Sequence, residues 1–288
     1  MRVKERHVGL DILRIVSMIM IVTLHYLGKG GFLWETEPYT PLYYLVYGIE
    51  ALCLVSVNAY VLISSYFLVE SNEVRKKKLL KLYATVWFYN FIISVLLYKL
   101  DVPFSKMEII YSIFPFFTKR YWYVNAYILL YLLHPYLNKL VQSINKRELQ
   151  RLLITLLAFF CVAQSVFPVL EWTYDETQGY GIIWFVVLYL VAVYIKQYGG
   201  VLNKARWYQL LLVWCGASGA CVCSKIILSV VLDSAGRGSV YTDIWYTYNS
   251  LPVLLGSICI FIFFTKIELK SEKVKVVVTK VGGATLGV

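Results

Sequence analysis

The sequence is short of charge. Only 16% of its 288 residues are Asp, Glu, Lys or Arg, against about a quarter in soluble domains. Acids are the scarcer sign, 17 against 28 Lys plus Arg, for a formal net charge of +11. Histidine occurs three times, as His7, His25 and His134. No Ala-x-Ala-like cleavage site ends the first apolar stretch. No repeat, low-complexity tract or linker divides the chain. These shortages exclude a disordered chain, a secreted globule and a soluble dinucleotide-binding enzyme. The six cysteines (Cys53, Cys161, Cys215, Cys221, Cys223, Cys259) lie within apolar segments, which excludes a disulfide scaffold. Cys221-x-Cys223 has no histidine or second cysteine pair beside it, so no metal site is expected.

What is abundant is apolar surface: 59% of residues are hydrophobic and the mean hydropathy is +0.65. A span needs about 20 mostly apolar residues. Eight segments qualify: Val8–Leu27, Leu42–Val69, Leu79–Leu100, Tyr121–Val141, Leu149–Leu170, Gly181–Tyr198, Trp207–Leu232 and Trp245–Ile267. Met107–Thr118 carries Pro115 and is too short to cross, so it reads as re-entrant or interfacial. The basic residues alternate between loops. Arg2, Lys4 and Arg6 precede span one, Arg75 to Lys78 and Lys81 follow span two, and Lys139, Lys146, Arg147 and Arg151 follow span four. Lys196, Lys204 and Arg206 follow span six, and Lys266 to Lys280 follow span eight. The intervening loops are poorer in them, which places the N-terminus in the cytoplasm. The expected fold is all-α: a single-domain polytopic transmembrane bundle over 1–288, with about eight complete spans. Gly282–Val288 reads as the start of a ninth span, cut short. Trp and Tyr at span ends, such as Tyr121-Trp122-Tyr123, Trp172 and Trp245-Tyr246, read mainly as an interfacial belt.

Ionisable residues inside spans are costly and mark function or pairing. Span one holds three of them. Asp11 precedes Arg14 by three residues, so the two can pair on one face. Arg14 and His25 differ by roughly 20° around a helix and lie about 16 Å apart along it. One face thus carries acid, cation and imidazole in order. A paired anchor at Asp11–Arg14 is the plain alternative; general-base work suits an imidazole buried in a bundle. Span two holds Glu50, Asn58 and Ser64, and span four holds Trp122 and Asn125 near its outer end; these are candidates for a substrate path. His134 before Pro135 reads as a satisfied core histidine. Lys225 reads as snorkelling to the outer interface.

Leu10-Asp11-Ile12-Leu13-Arg14, followed by His25, resembles the membrane acyltransferase-3 family, whose first span has an LDxLR-type start and ten residues between arginine and histidine. Val57–Leu68 is similar to that family's second-span segment, Lys77-Lys78-Leu79-Leu80-Lys81 takes the place of its basic element, and Trp122–Pro135 is similar to its WF…YL span. Gly283–Val288 resembles the opening of a late span. Ser65 departs from the pattern's glycine, and lysines replace arginines, keeping charge without the bidentate fork. The resemblance implies transfer of an acyl group, usually acetyl in such families, from cytoplasmic acyl-CoA to a hydroxyl of a cell-surface or lipid-linked polysaccharide at a bacterial inner membrane. It implies His25 as base or acyl relay, Arg14 as donor-binding cation and Asp11 as its orienting partner, with Lys77, Lys78 and Lys81 meeting CoA phosphates. Acyl-CoA is then a co-substrate, no cofactor is bound permanently, and no nucleic acid is involved. The alternative is a transporter or flippase-like protein using the same polar face without covalent chemistry.

Overall fold

The computed structural model describes residues 7–100, 111, 121–166, 177–200, 204–234 and 242–285. The re-entrant segment expected at Met107–Thr118, the outer Trp172 and the basic residues Arg2, Lys4 and Arg6 lie outside them. Among the described residues every regular element is helical. In chain order these are α1 (Val8–Lys29), α2 (Phe32–Glu35), α3 (Pro41–Cys53), α4 (Val55–Leu68), α5 (Lys76–Lys99), α6 (Trp122–Ser143) and α7 (Lys146–Leu157). A π-helical turn at Ala158–Val162 leads into α8 (Ala163–Val166), and α9 (Ile182–Tyr198), α10 (Trp207–Ser234), α11 (Leu251–Thr265) and α12 (Glu272–Ala284) follow.

Among the described residues, five helical stretches are long and apolar enough to cross a membrane: Val8–Lys29, Pro41–Leu68, Lys76–Lys99, Lys146–Val166 and Trp207–Leu232. Helices α9 and α11 are apolar but shorter. Helix α6 has the length, but its tyrosines, asparagines and His134 dilute its hydropathy. The 41–68 span is two helices meeting at Leu54, whose φ −56° and ψ −27° are of 3₁₀ type.

Two expected boundaries move. The last apolar span begins at Leu251 rather than Trp245, because Ser250 precedes it and Pro252 occupies the first turn, where a missing N–H costs nothing. Residues 242–250 form a loop of turns instead. At the C-terminal side the basic stretch taken for a loop is already helical. Helix α12 starts at Glu272, which pairs with Lys275 at 2.6 Å, and Gly282 lies so close to α1 that a Cβ would meet the Asp11 carbonyl oxygen at 2.8 Å.

Helix α4 forms the centre, buried continuously from Val55 to Ile63. Helices α1, α9 and α11 pack around it, α10 packs on α11 and α3, and α6 and α7 lean on α9. An apolar helix buried all round is one that neighbours enclose on every side, and α9 is the second such case, with Trp184, Phe185 and Val187–Val193 buried. Polar locks fix the packing. Asn138 donates to the carbonyls of Leu68 and Ser71 and accepts from the Tyr189 hydroxyl. Lys196 caps the Tyr66 carbonyl at 2.6 Å and pairs with Glu70. The outside of the bundle is apolar: Trp87, Phe88, Phe91 and Leu96 of α5 are all exposed, as lipid-facing residues are. The starts of α1, α5, α7, α10 and α12 share one end of the bundle with the basic loops; this is the basic end.

Candidate functional site

Near the basic end, Asp11 and Arg14 are joined by an ion pair, as three-residue spacing on a helix allows. Asp11 is 1% exposed; its second oxygen lies 3.4 Å from the Thr279 hydroxyl of α12. The Arg14 guanidinium sits 5.4 Å over the Phe67 ring, and its carbonyl accepts from the Tyr60 hydroxyl at 2.8 Å. Lys78 of α5 turns inward, 5.3 Å over the Tyr131 ring, within electrostatic reach of Arg14. Lys77 and Lys81, about 100° and 60° around α5 from Lys78, stay exposed.

Facing these cations, α6 presents Tyr123, Tyr127 and Tyr131 at four-residue spacing. The first two rings are parallel at 6.4 Å and the next pair lies at 6.3 Å. Ser64 lies beside the Tyr127 hydroxyl. The Tyr123 hydroxyl is buried, within reach of the Arg14 charge, and has no hydrogen-bond partner among the described residues. A buried polar atom left open is unusual enough to need a reason. His134, below the ladder, has a structural one. Pro135 cannot donate to the Tyr131 carbonyl, and His134 Nδ1 meets that oxygen at 2.5 Å instead. The expected satisfied core histidine is thus buried and held at Nδ1 but only half satisfied, since its buried Nε2 has no hydrogen-bond partner among the described residues.

The other end carries a second cluster. Lys225 is 5% exposed, pairs with Asp243 and lies 4.1 and 5.5 Å from the rings of Tyr47 and Tyr246. It does not snorkel: an aromatic box and a loop carboxylate meet it where it stands. Half-buried Glu50 is within electrostatic reach of both members of that pair. Beside it Trp122, Tyr180 and Tyr248 converge with ring centroids 4.4 to 5.8 Å apart. Gly179, at φ +85°, lets the turn before Tyr180 press against the 242–250 loop; a Cβ there would strike the Asn249 nitrogen at 2.9 Å.

The sequence-derived residues therefore fall into separate groups. Asp11, Arg14, Lys78 and Ser64 are brought together, while Glu50 and Trp122 belong to the outer cluster. Asn58 is fully buried between α9 and the 242–250 loop, accepting from Trp184 Nε1 at 3.0 Å and donating to the Tyr248 carbonyl at 2.8 Å. Its amide is occupied as a lock. Asn125 is half-buried on α6. His25 is not inside the bundle: it is exposed, about 16 Å along α1 from Arg14. Its neighbour Leu24 packs against the buried cluster of Ala51, Leu54, Cys221 and Val253, as Trp245 and Tyr246 do. Sequence reasoning missed Tyr60, Phe67 and the α6 tyrosine ladder. The i, i+4, i+8 spacing of Tyr123, Tyr127 and Tyr131 was the available signal.

Residues 7–288 match the sequence model of a family described as an acyltransferase domain, Acyl_transf_3. No curated protein and no solved structure matches the chain.

Proposed function

The chain belongs to the membrane acyltransferase-3 family, and from that premise we propose that it moves an acyl group, acetyl first among them, from acyl-CoA to a hydroxyl of a cell-surface or lipid-linked polysaccharide. In this reading the basic end faces the cytoplasm of a bacterial inner membrane, in keeping with the gathering of Lys and Arg there. Lys77 and Lys81 are free at the rim to meet CoA phosphates as point charges.

The observation that carries the donor assignment is the convergence of Arg14 and Lys78, from different helices, on one tyrosine-lined interior. Two cations there face a single buried carboxylate, and the unspent Tyr123 hydroxyl adds a donor. A phosphate-bearing ligand answers all three. Acyl-CoA enters as co-substrate, not as a resident cofactor.

His25 then serves the acceptor. The acceptor hydroxyl gives its proton to the imidazole as its oxygen attacks the thioester carbonyl carbon. The carbon–sulfur bond breaks, and the departing CoA thiolate takes up a proton. If the acyl group pauses on the protein, the same imidazole is the nucleophile. The exposure of His25 supports this: an exported glycan must reach it. Five residues beyond it, at Gly30, begins a cleft of about 430 Å³ lined by Glu35, Thr36, Glu37 and Thr40, groups suited to sugar hydroxyls.

The test is transfer of radiolabelled acetyl from acetyl-CoA to glycan, in membranes carrying the wild-type chain or His25→Ala. His25 is exposed and makes no hydrogen bond among the described residues, so the substitution should leave membrane levels unchanged and abolish incorporation. Full incorporation by His25→Ala at equal levels refutes the assignment. Solute movement independent of acyl-CoA would favour a transporter.

A further inference from the structure

A cleft of about 530 Å³ opens on the bundle surface between α7, α9 and α11, away from the Arg14 interior. Its mouth holds Arg147 and Arg151 and its walls are Leu153, Ile154, Val191, Ile195 and Ile258. Helical geometry explains the layout. Arg147 and Arg151 are four residues apart, about 40° around α7, and Ile154 returns to within about 20° of Arg147. One stripe therefore reads cation, cation, apolar, descending about 10 Å from the basic end into the apolar zone.

The charge on that stripe is uncompensated. Both arginines are exposed and neither has a carboxylate partner among the described residues. The nearest acid, Glu148, is held in the capping box, where its carboxylate accepts from the Asn145 nitrogen at 2.8 Å. Like charges at this spacing repel by a few tenths of a kcal/mol. Gln150 is tied back to the Tyr194 hydroxyl at 2.8 Å, which braces α7 against α9 beside the cleft. The stripe ends at the π-helical turn Ala158–Val162, a distortion concentrated at functional sites.

We propose that this cleft is a binding site for one anionic phospholipid of the leaflet at the basic end. Its phosphate lies between the Arg147 and Arg151 guanidinium forks, which match phosphate geometry, and one acyl chain follows the apolar wall past Ile154. A zwitterionic lipid fits the wall but brings a cation to the arginines. This inference rests on the membrane setting and the cleft, not on the acyl-transfer chemistry.

The test is native mass spectrometry of the full chain in detergent, titrated with phosphatidylglycerol or phosphatidylcholine. Each basic residue near an anionic headgroup contributes about a fivefold factor in affinity. Arg147→Gln with Arg151→Gln should weaken phosphatidylglycerol binding about 25-fold and leave phosphatidylcholine unchanged. Ile154→Trp, which fills the cleft and spares both arginines, should weaken retention of phosphatidylglycerol too. The exposed positions of all three residues keep the fold out of the comparison, and equal melting temperatures verify it. Equal retention of the two lipids, or unchanged phosphatidylglycerol affinity in the double variant, overturns the proposal. So does displacement of the lipid by glycerol phosphate alone, which would mark a plain anion site, or by acetyl-CoA, which would mark a donor site.

Discussion

Replacing Arg14 by Gln separates the two roles that its position allows. Asp11 is 1% exposed and ion-paired with Arg14, with the Thr279 hydroxyl 3.4 Å from its other oxygen. Removing one member of a buried pair costs up to about 3–5 kcal/mol, because the remaining buried charge loses that partner. Asp11→Asn should cost less, about 1–3 kcal/mol, since the Arg14 side chain is 20% exposed and keeps its Phe67 contact. The double variant, with both charges gone, should cost less than the sum of the two singles. Unfolding free energies in detergent give these three numbers. Calorimetric titration with acetyl-CoA, below all three melting points, gives the second readout. A charge-assisted bond to phosphate contributes about 1.5–3 kcal/mol, so Arg14→Gln should weaken binding about 10- to 150-fold. Asp11→Asn keeps the cation and should weaken it far less. If both single variants lose donor affinity equally, Arg14 is only an anchor. If Arg14→Gln melts like the wild type, the buried-pair argument fails.

Asn58→Leu should destabilise by about 2–6 kcal/mol, since it strands Trp184 Nε1 and the Tyr248 carbonyl, each at about 1–3 kcal/mol; a melt within 1 kcal/mol of wild type would refute the lock. Gly9→Ala should lower the melting temperature, because its Cβ would sit 1.9 Å from the Phe264 carbonyl oxygen and overpacking costs about 1–3 kcal/mol. Gly216→Ala, with nothing within 4 Å of its Cβ, should hold or raise it through helix propensity. In the outer cluster Asp243→Asn should destabilise more than Lys225→Met. The first strands a buried ammonium, whereas the second leaves a half-exposed carboxylate free to hydrate; the reverse order of unfolding free energies would overturn that account.

How much of this the sequence discloses depends on the range of the interaction. The apolar runs mark every long helix, and the Asp11–Arg14 pair follows from spacing within one helix. The start of α11 was also written locally, in Ser250 and Pro252, but the apolar Trp245 and Tyr246 hid it by extending the hydrophobic run. The burial of Lys225 was not legible, because its carboxylate lies 18 residues on, across a loop, and its box joins rings from α3 and that loop. The exposure of His25 was equally hidden, since periodicity gives a shared face but not which neighbours cover it. The tyrosines of α6 show the converse: their spacing was visible, yet a belt explains aromatic residues at a span end just as well.

Among the described residues the two polar clusters differ in their charge balance, and that difference argues for a direction of chemistry. At the basic end Arg14 and Lys78 outnumber Asp11, in an interior that also leaves a tyrosine hydroxyl open. At the other end Asp243 and Glu50 outnumber Lys225 among aromatic rings. Surplus charge at membrane depth is expensive unless a ligand or solvent answers it. In the proposed function an anionic donor would answer the first cluster and a neutral ligand rich in hydroxyl donors the second, since carboxylates accept from hydroxyls and rings pack on sugar faces. A transporter moving one solute through both clusters would have to satisfy opposite surpluses with the same molecule. Two substrates of different charge, entering from opposite ends, satisfy each with its own.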